Sequence, residues 1–349
     1  YQLRVEATDQ FYQEQVVLER AVETPTGTGP GYVAWTESSM LRMLPTTLPA
    51  SRPEALLARI ALAGGEWESY QVALRTAPGV ELRDCTVQLG DLADGHGHVI
   101  PASDLQWHQV GYVEFKEFSQ GAVLPEDAAP GWWPDPLLPV STFDVTPAFT
   151  QALWFTVYAR PGTPAGVYRG NVVIAPAQAD PVQVAVEAEV YGFELPVQPH
   201  LKTAFALMDG FLEKLYGKPL PVELRRAYGD YLLQHRLNPD DISRTDPPDL
   251  ADLEYYDARG LNAFNVLNMV EPRGTRTWVC WSPGEVYTPA FKQQLIARLD
   301  PYVAELKQRQ CFHKAYIYTF DERGEEFWPI LREYFGLVQQ RYGIPTLTT

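Results

Sequence analysis

Between Phe193 and His200 the pattern of this chain changes, and that change limits the fold more than any other feature. The segment carries Pro196 and Pro199, and each proline biases the residue before it away from helix. Before the joint, apolar residues alternate with period two. After it, strand-like and helix-like stretches take turns. With 349 residues the chain is too long for one ordinary core. The expectation is a multi-domain β + α/β protein, with one domain over residues 1–197 and a second over 198–349.

In the first part, alternating runs cover Leu56–Leu62, Tyr70–Arg75, Cys85–Leu89, Ala152–Tyr158, Val167–Ile174 and Val182–Tyr191. Turn-rich pieces such as Pro161–Gly166 separate them. No helical pattern of useful length interrupts the series. Short strands punctuated in this way predict a β-sandwich. The Trp132-Trp133 pair, with prolines beside it, reads as a rigid packed loop.

In the second part, Leu201–Met208, Leu237–Ile242, Asn262–Asn268, Tyr316–Phe320 and Ile344–Thr349 read as strands. Helical spacing links Leu224, Ala227, Tyr228, Tyr231, Leu232 and His235. It links Phe291, Leu295, Leu299, Val303 and Leu306, and again Phe327, Ile330, Leu331, Tyr334 and Val338. Alternation of strand and helix predicts a parallel sheet. A complete eight-stranded barrel needs about 250 residues, more than follow the joint. The expectation is therefore a (β/α)8-type barrel truncated after about five strands, or a smaller open sheet.

Composition removes several function classes. The formal net charge of −16 argues against nucleic acid or an anionic membrane as partner. No apolar run is long enough to span a membrane, and no signal peptide is recognisable. Tyr1 is already strand-like, so a processed or trimmed chain is expected, and the missing signal peptide says little about compartment. Cys85, Cys280 and Cys311 have neither metal-ligand spacing nor an even count for a disulfide framework. His96-Gly97-His98 resembles a two-ligand metal fragment, but a third ligand is lacking nearby. No metal and no cofactor is expected.

Chemistry concentrates in Lys314–Gly324. Tyr316, Ile317, Tyr318 and Phe320 give a β-rich run that ends on Asp321-Glu322. Acids after a strand often cap the next helix, where its dipole favours them. The carboxyl end of a strand is also where α/β folds place ligands. Two carboxylates there suggest acid/base work on a sugar.

Several stretches together resemble glycoside hydrolase family 123, whose founding activity is β-N-acetylgalactosaminidase. They are Ala63–Gln71, Val110–Val113, Trp133–Pro139, Pro164–Gly170 and the Asp321-Glu322 pair after an aromatic strand. The resemblance covers about residues 35–349. It implies a β-sandwich followed by a (β/α)8-type barrel, a glycan or glycoconjugate substrate, and a catalytic pair at Asp321 and Glu322. Family barrels continue past Thr349.

Adjacency of the two acids narrows the mechanism. Most glycosidases set two carboxyls on opposite faces of the sugar. Neighbouring residues leave the backbone from nearly one point and reach the same side more easily. That suits substrate-assisted catalysis, in which the 2-acetamido group attacks its own anomeric carbon. An ionised Asp321 would orient the acetamido N–H. Glu322 would protonate the leaving oxygen and then deprotonate water, its proton favoured by the neighbouring charge. Arg323 is expected to point to solvent. Trp278, Trp281 and Tyr318 are candidates for an aromatic wall, each with core or loop packing as the plainer role. Asn265 and Asn268 stand at a strand's carboxyl end, and Arg236 and Asn238 enter the strand before it. Glu285 is a further acid of the same region, more simply a solvated loop residue. A secreted or periplasmic setting is expected with a glycan-hydrolase reading. Competing readings are a hydrolase of another glycan and a non-catalytic carbohydrate-binding protein. Oligomeric state has no sequence signal.

Overall fold

The computed structural model describes residues 2–7, 14–19, 31–49, 56–117, 129–269 and 287–349. The chain divides into two compact units, Tyr1–Leu195 and Pro196–Thr349.

The first unit is built from strands. In chain order they begin with β1 (Gln2–Ala7), β2 (Glu14–Glu19), β3 (Tyr32–Ser38), β4 (Leu57–Gly64) and β5 (Glu66–Thr76). Next come β6 (Leu82–Leu89), β7 (Leu92–Ala93), β8 (Val99–Ile100), β9 (Leu105–Phe115) and β10 (Gly131–Leu138). The last four are β11 (Phe143–Val145), β12 (Thr150–Ala159), β13 (Gly166–Ala175) and β14 (Val182–Glu194). The only helical turn among its described residues is a 3-10 turn at Ala102–Asp104.

β1 and β2 form an antiparallel pair. One sheet runs β10-β9-β12-β5-β3 and is antiparallel throughout. The other runs β11-β6-β13-β14-β4, with β7 and β8 attached to it, and its β14–β4 pair is parallel. Successive side chains of a strand point to opposite faces. Tyr70, Val72 and Leu74 of β5 and Leu153, Phe155 and Val157 of β12 turn one way. They share a core with Val172 and Ile174 of β13 and Val184 and Val186 of β14. Two sheets thus close over one apolar layer. Register places Phe155 opposite Tyr70, and their rings stack at 5.2 Å. Trp67 and Tyr158, also opposite, stack at 4.3 Å.

The Trp132-Trp133 segment is a strand rather than a packed loop. It forms β10, at the edge of its sheet, with a register irregularity between Pro134 and Leu137. An edge position tolerates proline because the missing N–H can face away from the partner strand.

The second unit holds five helices among its described residues: α1 (Asp209–Tyr216), α2 (Val222–Gln234), α3 (Leu250–Asp257), α4 (Pro289–Leu306) and α5 (Trp328–Tyr342). The three strands among its described residues are β15 (Phe264–Asn265), β16 (Ala315–Tyr318) and β17 (Thr346–Leu347), and they pair in parallel in that order. Caps fix the helix ends. Asp249 accepts from the backbone N–H of Ala251 and Asp252 at the start of α3, and Thr288 accepts from Phe291 N–H at the start of α4. Gly343 ends α5 in the left-handed region, at φ 72°. Leu295, Leu299 and Val303 of α4 and Tyr334 and Val338 of α5 pack with Val266, Ile317 and Phe320.

Among the described residues the parallel ladder takes in three of the five expected strands. Leu201–Met208 and Leu237–Ile242 stay outside it and pair with each other at an isolated antiparallel bridge between Ala206 and Asp241. The physical reason lies in side chains that take over the ladder's work. Asn265 N–H donates to the Asp240 carboxylate at 2.8 Å, not to a strand carbonyl. The Asn265 amide then donates to the carbonyls of Asp241 and Ile242 at 3.3 and 3.1 Å. Pro239 beside them has no N–H to offer.

Candidate active site

β16 delivers the acid pair. Its ladder continues past Tyr318 through Thr319 N–H, which donates to Leu347 carbonyl at 3.1 Å. The Thr319 hydroxyl donates to Asn268 Oδ1 at 2.6 Å. The backbone then turns sharply. Phe320 and Glu322 both take left-handed conformations, at φ 60° and 47°. Non-glycine residues seldom do so, and such outliers concentrate at functional segments. Two bonds secure the turn: Thr348 hydroxyl to Phe320 carbonyl at 2.8 Å, and Glu322 N–H to Thr349 carbonyl at 3.2 Å.

Asp321 and Glu322 are both solvent-exposed, but their surroundings differ. Asp321 Oδ1 accepts from the Tyr318 hydroxyl, and from the Thr349 hydroxyl at 2.7 Å. The two hydroxyls also lie 3.0 Å apart. The Tyr318 hydrogen bond, with that of Thr349 behind it and the charge of Arg323 as a smaller contribution, holds the Asp321 carboxyl below the ordinary carboxylate range. Burial pushes the Tyr318 phenol up, and its bond to Asp321 adds to the effect. The Glu322 carboxylate has no hydrogen bond or ion pair among the described residues. The helix that follows begins only at Trp328, after a 3-10 turn at Glu325–Phe327. Neither acid side chain caps it.

Arg323 is placed otherwise than expected. It is half-buried, with its guanidinium carbon 5.6 Å from the Phe327 ring centre, close enough for its charge to act on Asp321.

The remaining candidates divide. Tyr318 joins the acid pair through its hydroxyl, not as a ring in a wall. Asn268 is adjacent through Thr319, and its N–H donates to Arg244 carbonyl at 2.7 Å. Asn265 is fully buried, with its side chain committed to Tyr318 N–H and the 241–242 carbonyls. Asn238 is also buried and ties Thr203 carbonyl to Asn262. These two asparagines present no surface to a sugar. Arg236 sits just past α2 with a left-handed backbone, φ 58°. Trp278, Trp281, Glu285 and Cys280 lie outside the described residues.

Thr349 was missed by sequence reasoning, which used it only as the end of a strand. Nothing in the local pattern marks a hydroxyl 28 residues from Asp321 as its partner. The same holds for Asp240, which is fully buried behind the site. Burial pushes its carboxyl above the ordinary range. Arg244, the Tyr316 hydroxyl at 2.6 Å and the N–H groups of Asn265 and Asp241 pull against that.

A separate cleft of about 720 Å³ lies in the same unit, lined among others by Met208, Asp209, Asp241, Arg244, Asp246 and Tyr256. Neither acid of the pair is among its lining residues. No group of three or more His, Cys, Asp or Glu among the described residues is placed to hold a metal ion. His96 and His98 belong to a turn, where Asp94 accepts from both backbone N–H groups and from His98 Nδ1 at 2.7 Å. Cys85 and Cys311 are free and buried. No helix among the described residues is long and apolar enough to cross a membrane.

Comparison with known proteins gives one match to a family model and likenesses of fold. Residues 64–176 match the family model described as the glycoside hydrolase 123 N-terminal domain. The fold as a whole is similar to that of a family 123 glycoside hydrolase from Clostridium perfringens, described as acting in glycolipid glycan hydrolysis. That likeness has a TM-score of 0.64 at 9% identity and covers 91% of this chain and 64% of the other. The chain thus spans less than two thirds of that enzyme's length. The resemblance to family 123 is borne out by the family model: three of its five sequence stretches fall within the matched region and Ala63–Gln71 overlaps it by all but one residue. A PapD-like domain of human CEP192 (TM-score 0.24, 11% identity, 42% of this chain and 94% of that one) carries no argument. Nor does a beta-glucosidase from Listeria innocua (TM-score 0.20, 11% identity, 48% and 17%). No curated protein matches this chain in sequence.

Proposed function

We propose that this chain is part of a glycoside hydrolase that releases β-linked N-acetylhexosamine, with N-acetylgalactosamine as first choice, by a retaining, substrate-assisted mechanism. One observation carries the reading. Of two adjacent carboxyls, one is held ionised by two hydroxyls and the other is left without a partner among the described residues. An ionised, oriented Asp321 is what the acetamido N–H needs as acceptor. An unengaged Glu322 can swing to the glycosidic oxygen and serve as acid, then base. Tyr318 fixes Asp321 on one side, leaving its other oxygen for substrate. A secreted or periplasmic setting belongs to the same proposal, since glycoconjugate substrates lie there.

Chromogenic β-N-acetylgalactosaminide and β-N-acetylglucosaminide substrates test it. Turnover is expected, with inhibition by a thiazoline mimic of the oxazoline intermediate. Asp321→Asn and Glu322→Gln should each lower kcat by about 10²–10⁴-fold with the fold intact. Turnover that the thiazoline leaves untouched moves the reading to another glycosidase mechanism. Glycan binding without turnover moves it to a carbohydrate-binding protein. Near-wild-type rates in either variant remove the acid pair from the chemistry.

A further inference from the structure

Asn265 stands behind the acid pair, joined to it through Tyr318. β15 ends at this residue, so the parallel ladder has no further strand carbonyl to give Tyr318 N–H. The Asn265 side-chain oxygen takes that role at 2.9 Å. Its amide nitrogen reaches the opposite way, to the carbonyls of Asp241 and Ile242 at 3.3 and 3.1 Å. Its own N–H is held at 2.8 Å by Asp240, whose same oxygen accepts the Tyr316 hydroxyl at 2.6 Å. One fully buried side chain therefore joins β16 to the 240–242 segment. Few other residues could do this. Aspartate lacks the donors, serine is too short to span both sides, and glutamine adds a methylene in a filled space.

We infer that Asn265 is a positioning residue for Asp321: it fixes the backbone of Tyr318, and so sets where the tyrosine hydroxyl meets the carboxylate. The inference rests on the reading of Asp321 and Glu322 as the working pair, but its geometry is independent of any substrate. Loss of Asn265 frees Tyr318 N–H and lets the strand end shift. A displacement of a few tenths of an ångström there weakens a bond whose strength depends on distance and angle. The other groups acting on Asp321 are Thr349 and Arg323, and the Thr349 hydroxyl bonds to Asp321 and Tyr318 rather than to Asn265.

The test follows the Asp321 carboxyl by ¹³C NMR titration, with the acid limb of kcat/KM against pH as a second readout. Tyr318→Phe sets the scale, with an upward shift of about one pH unit. Asn265→Ala is expected to move the midpoint the same way by at least half as much. Asn238→Ala is the control: this asparagine is equally buried in the same unit, but its bonds go to Thr203 and Asn262. It should cost stability and leave the midpoint in place. If Asn265→Ala does not fold, Asn265→Ser keeps a polar group in the space and still withdraws the acceptor from Tyr318 N–H. A folded Asn265 variant with the wild-type midpoint overturns the inference. So does an Asn238→Ala midpoint that moves as far as that of the Asn265 variant. If wild-type protein turns over no glycoside, the functional reading fails while the NMR titration still decides the role of Asn265.

Discussion

Tyr318 is the residue on which the behaviour of Asp321 turns. Its hydroxyl is the first cause of the low carboxyl range, ahead of Thr349 and Arg323. A carboxyl held low is ionised at pH values where an ordinary one is partly protonated. Tyr318→Phe keeps the ring and removes the donor, so the Asp321 pKa should rise. If the ionised form is the working form, the acid limb of kcat/KM moves to higher pH by about one unit, and the alkaline limb stays. An unmoved acid limb would mean that another group sets it. The dipeptide itself was legible in the sequence, because strand, acids and helical spacing are local patterns. Its supporting hydroxyls were not. Tyr318 reads equally well as an aromatic wall, a core filler or a donor until the turn at Phe320–Glu322 decides where its oxygen ends. Asn265 and Asn238 were nominated as sugar contacts for their polarity and position. Burial is a tertiary property that polarity and position cannot supply.

At the scale of elements, legibility followed periodicity. Each alternating run in the first unit became a strand, from β4 to β14. The helices α2, α4 and α5 appeared where apolar residues recur at helical spacing. α1 and α3 escaped because eight residues make too short a stripe, and α1 buries no residue at all. β10 escaped because prolines argue against strands unless the strand is an edge. The two strands expected before β15 pair with each other at a single bridge, and side-chain bonds join the second of them to β15. Packing between helices gives a sharp test with an internal control. A Cβ at Gly229 of α2 would land on the Tyr256 ring of α3. That ring is buried, and its hydroxyl donates to Arg225 carbonyl at 3.2 Å. Alanine would gain up to about 1 kcal/mol in helix propensity, but overpacking costs about 1–3 kcal/mol. Gly229→Ala should therefore lower Tm by a few degrees. Gly336 of α5 has nothing within 4 Å of the same position, so Gly336→Ala should raise Tm slightly. Calorimetry of both variants checks the pair, and equal shifts would refute the packing argument.

At the scale of the molecule, each of the two units has its own main apolar core, and the first has a smaller cluster besides. The sequence announced this division through one proline-bracketed joint. Separate cores need not melt together. The measured calorimetric enthalpy is expected to exceed the van't Hoff enthalpy, with two resolvable components in the unfolding trace. A single transition with equal enthalpies would show the units to be energetically one. Size also bounds what the fold comparison conveys. Likeness to the Clostridium perfringens enzyme reaches over most of this chain, yet takes in 64% of that protein.

The prolines of β10 bear on how this molecule meets its own copies. β10, an outermost strand, exposes Trp132, Leu137 and Leu138, and β9 beside it exposes Val113 and Phe115, so the margin of the sheet is greasy. Such a margin invites a second chain to add itself as the next strand. Pro134 and Pro136 have no N–H to offer that newcomer, and the register of β10 is broken between Pro134 and Leu137. The prolines that disguise this segment as a loop thus make it a poor template for a further strand.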